Sequence, residues 1–255
     1  MSRRIVVAAV VLAIAVGAGA AALLLIGSGD DDGAARAPSV RAPQEVSRTP
    51  ARPPAAGHRW PLAARLVRSA QLRERPGGAV VRALHPRTGY GSHRVLAVVA
   101  RRPGWIGVLS HYMPNSRAGW IPEEAAVLRY MPYTIVVDLS ALRLLVRHDG
   151  KVVRRLPVAI GRPGHETPTG RYAITDSLRV SSAGGPYGCC ALALTGRQPN
   201  VPQGWTGGDR IAIHGTNKQD SLGTPASSGC LRASDTDMRW MMERIPVGAQ
   251  VRIKA

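Results

Sequence analysis

The pattern of apolar and polar positions changes character several times along the chain. From Ile5 to Ile26 it is an unbroken uncharged apolar run of 22 residues, about 33 Å long as a helix at ~1.5 Å per residue. That length spans a bilayer core, and Arg3 and Arg4 before it place the N-terminus on the cytoplasmic side and everything after Ile26 outside. A cleaved signal peptide is the alternative, since Ala18-Gly19-Ala20 fits a small-residue cleavage site. The apolar run continues past that site through Leu23 to Ile26, which favours an anchor over residues 1–26. Residues 27–57 carry Asp30-Asp31-Asp32 together with Ala, Pro and Arg and show no apolar period. This composition predicts a disordered, extended tether.

Over 58–128 the pattern becomes one of short alternations cut by turn residues, at 63–67, 71–73, 80–84, 95–100, 105–109 and 119–121. Such spacing predicts a small β-barrel with a hairpin loop around Tyr112 to Arg117. Trp105 and Trp120 fall on its strands, where core packing is the ordinary role of the ring. A second β region, 130–255, opens with strands at 133–139 and 143–146, and Asp149-Gly150 is a hairpin turn leading into 151–154. Strands follow at 156–160 and 167–174, the latter entered through a rigid Pro168 and Gly170 turn, and then at 191–194 and 209–213. His165, in the Gly-rich loop before that turn, reads as a solvated side chain. Residues 198–208 form a loop that would either cover a cleft and help exclude water or serve as an ordinary long connector. Ser234 with Asp235 and Asp237 marks a helix start. Met238, Met241, Met242 and Ile245 then give a core-facing stripe, and 249–253 alternates as a closing strand.

Chemistry concentrates between His214 and Arg232. The strand at 209–213 delivers His214 at its end, and a Gly-, Ser- and Pro-rich loop reaches Cys230 sixteen residues on. A thiol near its free pKa of about 8.5 is mostly protonated at neutral pH, and the thiolate is the nucleophile, so a neighbouring imidazole is the natural proton acceptor. Gly229 beside Cys230 removes bulk where a substrate carbonyl would approach. A buried structural cysteine and an ordinary strand-end histidine are the competing reading of the same two residues.

The run Ile213-His214-Gly215-Thr216-Asn217, followed by Ser227-Ser228-Gly229-Cys230-Leu231-Arg232, resembles the signature of the YkuD-type L,D-transpeptidases. Ser228 stands where that pattern commonly has a second histidine. Thr167-Pro168-Thr169-Gly170 and Gly184-Gly185-Pro186-Tyr187-Gly188 resemble further family features. The resemblance implies a mostly β fold, with a β-sandwich or barrel catalytic domain and a helix after the catalytic cysteine. It implies Cys230 as nucleophile, His214 as general base and acid, and the Gly215 carbonyl as the group that orients the imidazole. Ser227, Ser228, Gly229, Asn217 and Arg232 would serve as oxyanion or substrate contacts, Arg232 by binding a carboxylate or by bracing the loop. The reaction implied is cross-linking of peptidoglycan stem peptides through a cysteinyl thioester. The same thioester could instead be resolved by water, making a carboxypeptidase, or by a protein amine, making a wall-anchoring ligase. A non-enzymatic wall-binding protein is a further alternative. Residues 58–128 resemble the SH3-like barrels of bacterial wall proteins.

Composition adds partners and compartment. The formal charge of +18 comes almost wholly from arginine, since Lys151, Lys218 and Lys254 are the only lysines. The arginines are scattered along the chain with no nucleic-acid-binding motif, which points to anionic wall polymer or lipid head groups rather than to nucleic acid. Three cysteines supply no disulfide framework, and the adjacent Cys189 and Cys190 read as small strand residues. No His, Cys and carboxylate cluster has metal-ligand spacing, so neither a metal nor another cofactor is expected. These readings place the second domain on the outer side of a cell membrane, or in a secreted protein.

Overall fold

A computed structural model describes residues 61–180, 185–201 and 208–255, together with the backbone of a two-residue strand, β1 (Val40–Arg41). The predicted membrane span lies outside the described residues, and so does all of the tether except that strand, whose backbone pairs antiparallel with Arg179 and Val180. Among the described residues no helix is long and apolar enough to cross a membrane.

Alternation of apolar and polar side chains builds the first sheet from β2 (Leu62–Leu66), β3 (Ala70–Arg73), β4 (Val80–Leu84), β5 (Val95–Arg102), β6 (Trp105–Leu109), β7 (Ala118–Pro122) and β8 (Ala126–Tyr130). All pairings are antiparallel, in the order β4-β3-β7-β6-β5-β2-β8. Leu66, Leu72, Leu84, Ile106, Val108 and Ile121 turn inward and are buried together. Strand β8 lies beyond the six expected alternations and crosses the expected boundary at 128. Its side chains are only half-buried or exposed, so it lacks a strong inward face, and pairing with β2 is what makes it a strand.

Only Met131 and Pro132 separate β8 from the second sheet. That sheet comprises β9 (Tyr133–Asp138), β10 (Arg143–His148), β11 (Lys151–Pro157), β13 (Gly170–Val180), β14 (Cys190–Arg197), β15 (Arg210–His214), β17 (Leu231–Arg232) and β18 (Gln250–Lys254). Their order is β11-β10-β9-β18-β13-β14-β15-β17, and β12 (Ile160–Gly161) pairs in parallel with β16 (Pro225–Ser227) as a separate two-stranded piece. Asp149 and Gly150 have φ of +50° and +77°, the two left-handed residues that a tight hairpin turn requires. The strand expected at 156–160 is divided: Leu156 and Pro157 complete β11, and the chain resumes at Ile160 as part of β12.

One α-helix, α1 (Asp235–Arg244), follows β17. The Ser234 hydroxyl accepts the Asp237 N–H (3.1 Å) and donates to the Asp237 carboxylate (2.6 Å), an N-cap that satisfies an otherwise orphaned helix donor. Met238, Met241 and Ile245 are buried against the sheet. Arg154 of β11 donates to Asp237 and lies over the Trp240 ring, tying the far edge of the sheet to the helix.

The two sheets lie in one compact unit. Small side chains allow close approach, with Ala97, Leu109 and Ala173 forming a shared apolar contact. Around it Thr88 donates to Asp176 (2.6 Å), Arg171 N–H donates to the Ser116 hydroxyl (2.9 Å), and Gln250 donates to the Val98 carbonyl (3.2 Å). Asn115 presents its carboxamide to Arg197 as a strand would. It accepts the Arg197 N–H (2.9 Å) and donates to the Arg197 carbonyl (2.7 Å).

Candidate active site

The parallel pairing of β15 with β17 assembles the site. Ile213 and Leu231 are partners facing the core, so the next pair, His214 and Arg232, faces the opposite side. Two residues earlier on that same face stand Ala212 and Cys230. Cys230 is a half-buried free thiol, and the Ala212 N–H hydrogen-bonds to it.

His214 is buried at 4 % exposure, and its Nδ1–H donates to the Gly215 carbonyl at 2.5 Å. A carbonyl only accepts, so this bond fixes the tautomer and leaves Nε2 with a lone pair. The Tyr187 ring meets the imidazole edge-on, with centroids 4.9 Å apart. Burial is the main reason the imidazole pKa falls to about 4; the Gly215 hydrogen bond opposes the fall and the Arg232 charge adds to it. Burial likewise raises the Cys230 thiol above its ordinary value, with the Ala212 hydrogen bond and Arg232 pulling the other way. At neutral pH the pair therefore rests uncharged: the imidazole can accept a proton, and the thiol still holds one.

Gly215 is fixed from both sides. Its N–H donates to the Cys190 carbonyl (3.0 Å), and a Cβ on it would lie 2.2 Å from Asp235 Oδ1. That carboxylate, in the first turn of α1, also accepts the Cys189 N–H at 3.1 Å. The first turn of the helix thus closes over the segment that carries the histidine-orienting carbonyl.

The cysteine loop is held by Ser227 and by two residues from distant loops. The buried Ser227 hydroxyl donates to the Cys230 carbonyl (2.5 Å) and accepts the Gly229 N–H (3.1 Å). That N–H serves the turn rather than an incoming carbonyl. Arg162 donates through its backbone to the Ser227 carbonyl (2.9 Å) and through Nη1 to the Ser228 hydroxyl (2.7 Å). A guanidinium thus reaches the position where the resembled pattern has a second histidine. Gln198 donates to the Ser228 carbonyl at 3.3 Å.

Of the residues expected at the site, His214, Gly215, Ser227, Ser228, Gly229, Cys230 and Arg232 are brought together by β15, β17 and the loop between them. Asn217 is exposed on that loop. His165 is half-buried rather than solvated, because its Nδ1 bonds the Asn200 carbonyl at 2.7 Å. Cys189 and Cys190 form a disulfide with each other, where two unlinked strand residues were expected. The turn into β14 places the two sulfurs side by side. Of the connector proposed to cover a cleft, 202–207 lie outside the described residues. Arg162, Gln198 and Asp235 enter the site without a local signal for their roles, whereas Tyr187 lies in the Gly-Pro-Tyr stretch that the sequence marked.

The family model of the YkuD L,D-transpeptidase catalytic domain matches residues 132–253. YkuD of Bacillus subtilis, which carries L,D-transpeptidase in its name, is 31% identical over 146 residues, 55% of this chain and 80% of that protein. YqjB of the same organism is 34% identical over 131 residues, 48% of this chain and 70% of that protein. ErfK/SrfK of Salmonella typhimurium is 27% identical over 157 residues, and the match spans about half of that protein's length (51%). Fold and relatives together define a cysteine-dependent acyltransferase. More narrowly, the chain belongs to the L,D-transpeptidase family.

Proposed function

We propose that the protein cross-links peptidoglycan, with Cys230 as nucleophile and His214 as base. The observation that carries this reading is the buried His214 imidazole, its Nδ1–H committed to Gly215, on the same sheet face as the free Cys230 thiol. His214 Nε2 takes the thiol proton as sulfur attacks the carbonyl of the third residue of a tetrapeptide stem. The tetrahedral oxyanion collapses to a thioester, and the terminal D-alanine departs with a proton returned by the imidazolium. An amine from a second stem then attacks the thioester and restores the thiol, joining third residue to third residue. Arg232, within electrostatic range of both His214 and Cys230, favours the thiolate as it forms and disfavours premature protonation of the imidazole.

The disulfide supports a location outside the cytoplasm, since such bonds persist in oxidising compartments. The apolar run at 5–26 with its preceding arginines supports an anchored chain whose described residues face the wall. The first sheet, with its short antiparallel strands, reads as an SH3-like module, and the +18 charge suits an anionic wall polymer or lipid surface.

The test is to incubate the full chain with a muropeptide bearing a tetrapeptide stem, and to record intact mass and products beside Cys230→Ala. A thioester adduct lost in the variant, with dimeric muropeptide formed, is the expected result. Adduct with tripeptide as the sole product makes the enzyme a carboxypeptidase. Adduct transferred to a protein amine makes it a ligase, and no adduct at all overturns the enzymatic reading.

A further inference from the structure

Gln198 follows the last residue of β14, Arg197, and its side chain is buried at 6 % exposure. Its single Nε2 lies 3.1 Å from the His165 carbonyl, 3.0 Å from the Glu166 carbonyl and 3.3 Å from the Ser228 carbonyl. An amide –NH2 has two hydrogens, so three acceptors share them. The other end of the carboxamide, Oε1, accepts the Asn200 N–H at 3.1 Å, and the Gln198 N–H donates to the Asp209 carbonyl. One side chain therefore joins the loop before β13, the connector after β14 and the cysteine loop.

Its effect on the cysteine loop is specific. The Ser228–Gly229 peptide has its carbonyl bound by Gln198 and its N–H bound by Ser227, so both ends of that peptide plane are fixed. Gly229 then turns with φ of +112°, and a Cβ there would lie 2.1 Å from Gln198 Nε2. The carboxamide occupies the space that any other residue at 229 would need. The next peptide carries the Cys230 N–H beside its own sulfur.

We infer that Gln198 is a positioning residue of the cysteine loop: it fixes the Ser228–Gly229 peptide and thereby the direction in which Cys230 meets a substrate carbonyl. The inference rests on Cys230 being the nucleophile, and it acts through that residue rather than on substrate. Because three of its partners are carbonyl oxygens, the group must be a donor. Methionine at 198 keeps the length and loses every bond, and glutamate replaces the donor with negative charge facing those oxygens.

The test compares the full chain with Gln198→Met and Gln198→Glu in three measurements. Single-turnover acylation by the tetrapeptide muropeptide is expected to fall about tenfold or more in both variants, with KM within about twofold, since misplacement by a fraction of an ångström is felt in the chemical step. Alkylation of Cys230 by iodoacetamide is expected to keep its pH profile in Gln198→Met, which adds no charge and leaves the thiol and His214 untouched; in Gln198→Glu the added charge is expected to move the profile upward. Hydrogen exchange of the 226–231 amides is expected to quicken. Acylation and exchange both unchanged in Gln198→Met overturn the inference, and so does an alkylation profile of Gln198→Met that shifts in step with its acylation, which would make the effect a general loss of fold. If the parent chain forms no thioester, the functional reading has failed separately, and the exchange measurement alone decides whether Gln198 holds the loop.

Discussion

Tyr187 packs against the buried His214 imidazole edge-on, with 4.9 Å between ring centroids. Burial is the first cause of the fall of that imidazole to about pKa 4. Removing the ring in Tyr187→Ala is expected to raise it toward the ordinary value of about 6.5. The acid limb of the pH profile of acylation then moves upward in pH. Tyr187→Phe keeps the ring and is expected to leave the limb in place. Profiles of kcat/KM for the two variants check this.

The same burial couples folding to pH. His214 is buried neutral, with a folded pKa of about 4 against 6.5 unfolded, so the unfolded chain binds more protons between those values. Stability is therefore complete above about pH 6.5 and declines as pH falls toward 4, by about 3 kcal/mol from this residue. His111, lowered to about 3 by burial and by Arg210, Arg94, Arg197 and Arg82, acts in the same direction. Urea midpoints measured from pH 7 to pH 4 should fall steadily, and less steeply in His111→Gln.

Thiol counting tests the disulfide. Of the three cysteines, only Cys230 is free. Denatured without reductant, the chain is expected to take up one equivalent of alkylating agent, and with reductant three, read by intact mass.

Ser227 bonds both the Cys230 carbonyl and the Gly229 N–H from a nearly inaccessible position. Ser227→Ala leaves both groups without that partner, at a cost of about 1–3 kcal/mol for buried polar groups left unpaired. A lowered Tm together with slower acylation is the expected outcome, and Ser227→Thr, which keeps the hydroxyl, should recover part of both.

Local pattern made much of this legible. Strands 80–84 and 105–109 begin and end where the alternation does, Asp149-Gly150 turns as its residue types require, and Ser234 caps the helix it precedes. His214 and Cys230 were legible because a strand-end histidine and a glycine-flanked cysteine form a motif. Arg162 and Gln198 were not, since they reach Ser228 across 66 and 30 residues of chain and nothing in their neighbourhoods marks the contact. Asp235 looked like a helix-start acid and is one, but its second task at Cys189 and Gly215 depends on where the helix docks. Strand β8 was hidden by its weak inward face, and the Cys189–Cys190 bond by the habit of reading adjacent cysteines as unlinked.

Strand β18 pairs with β9 on one side and β13 on the other, and through it the β11-β10-β9 half of the second sheet meets the half that carries β15 and β17. Residues 250–254 are made after every other strand of that sheet. On the growing chain β9 and the Gly170–Ala173 part of β13 therefore each keep one side open until this segment has emerged, and the two halves join only then, through contacts distant in sequence. A newborn chain would hold its cysteine loop before it holds the complete sheet that supports it.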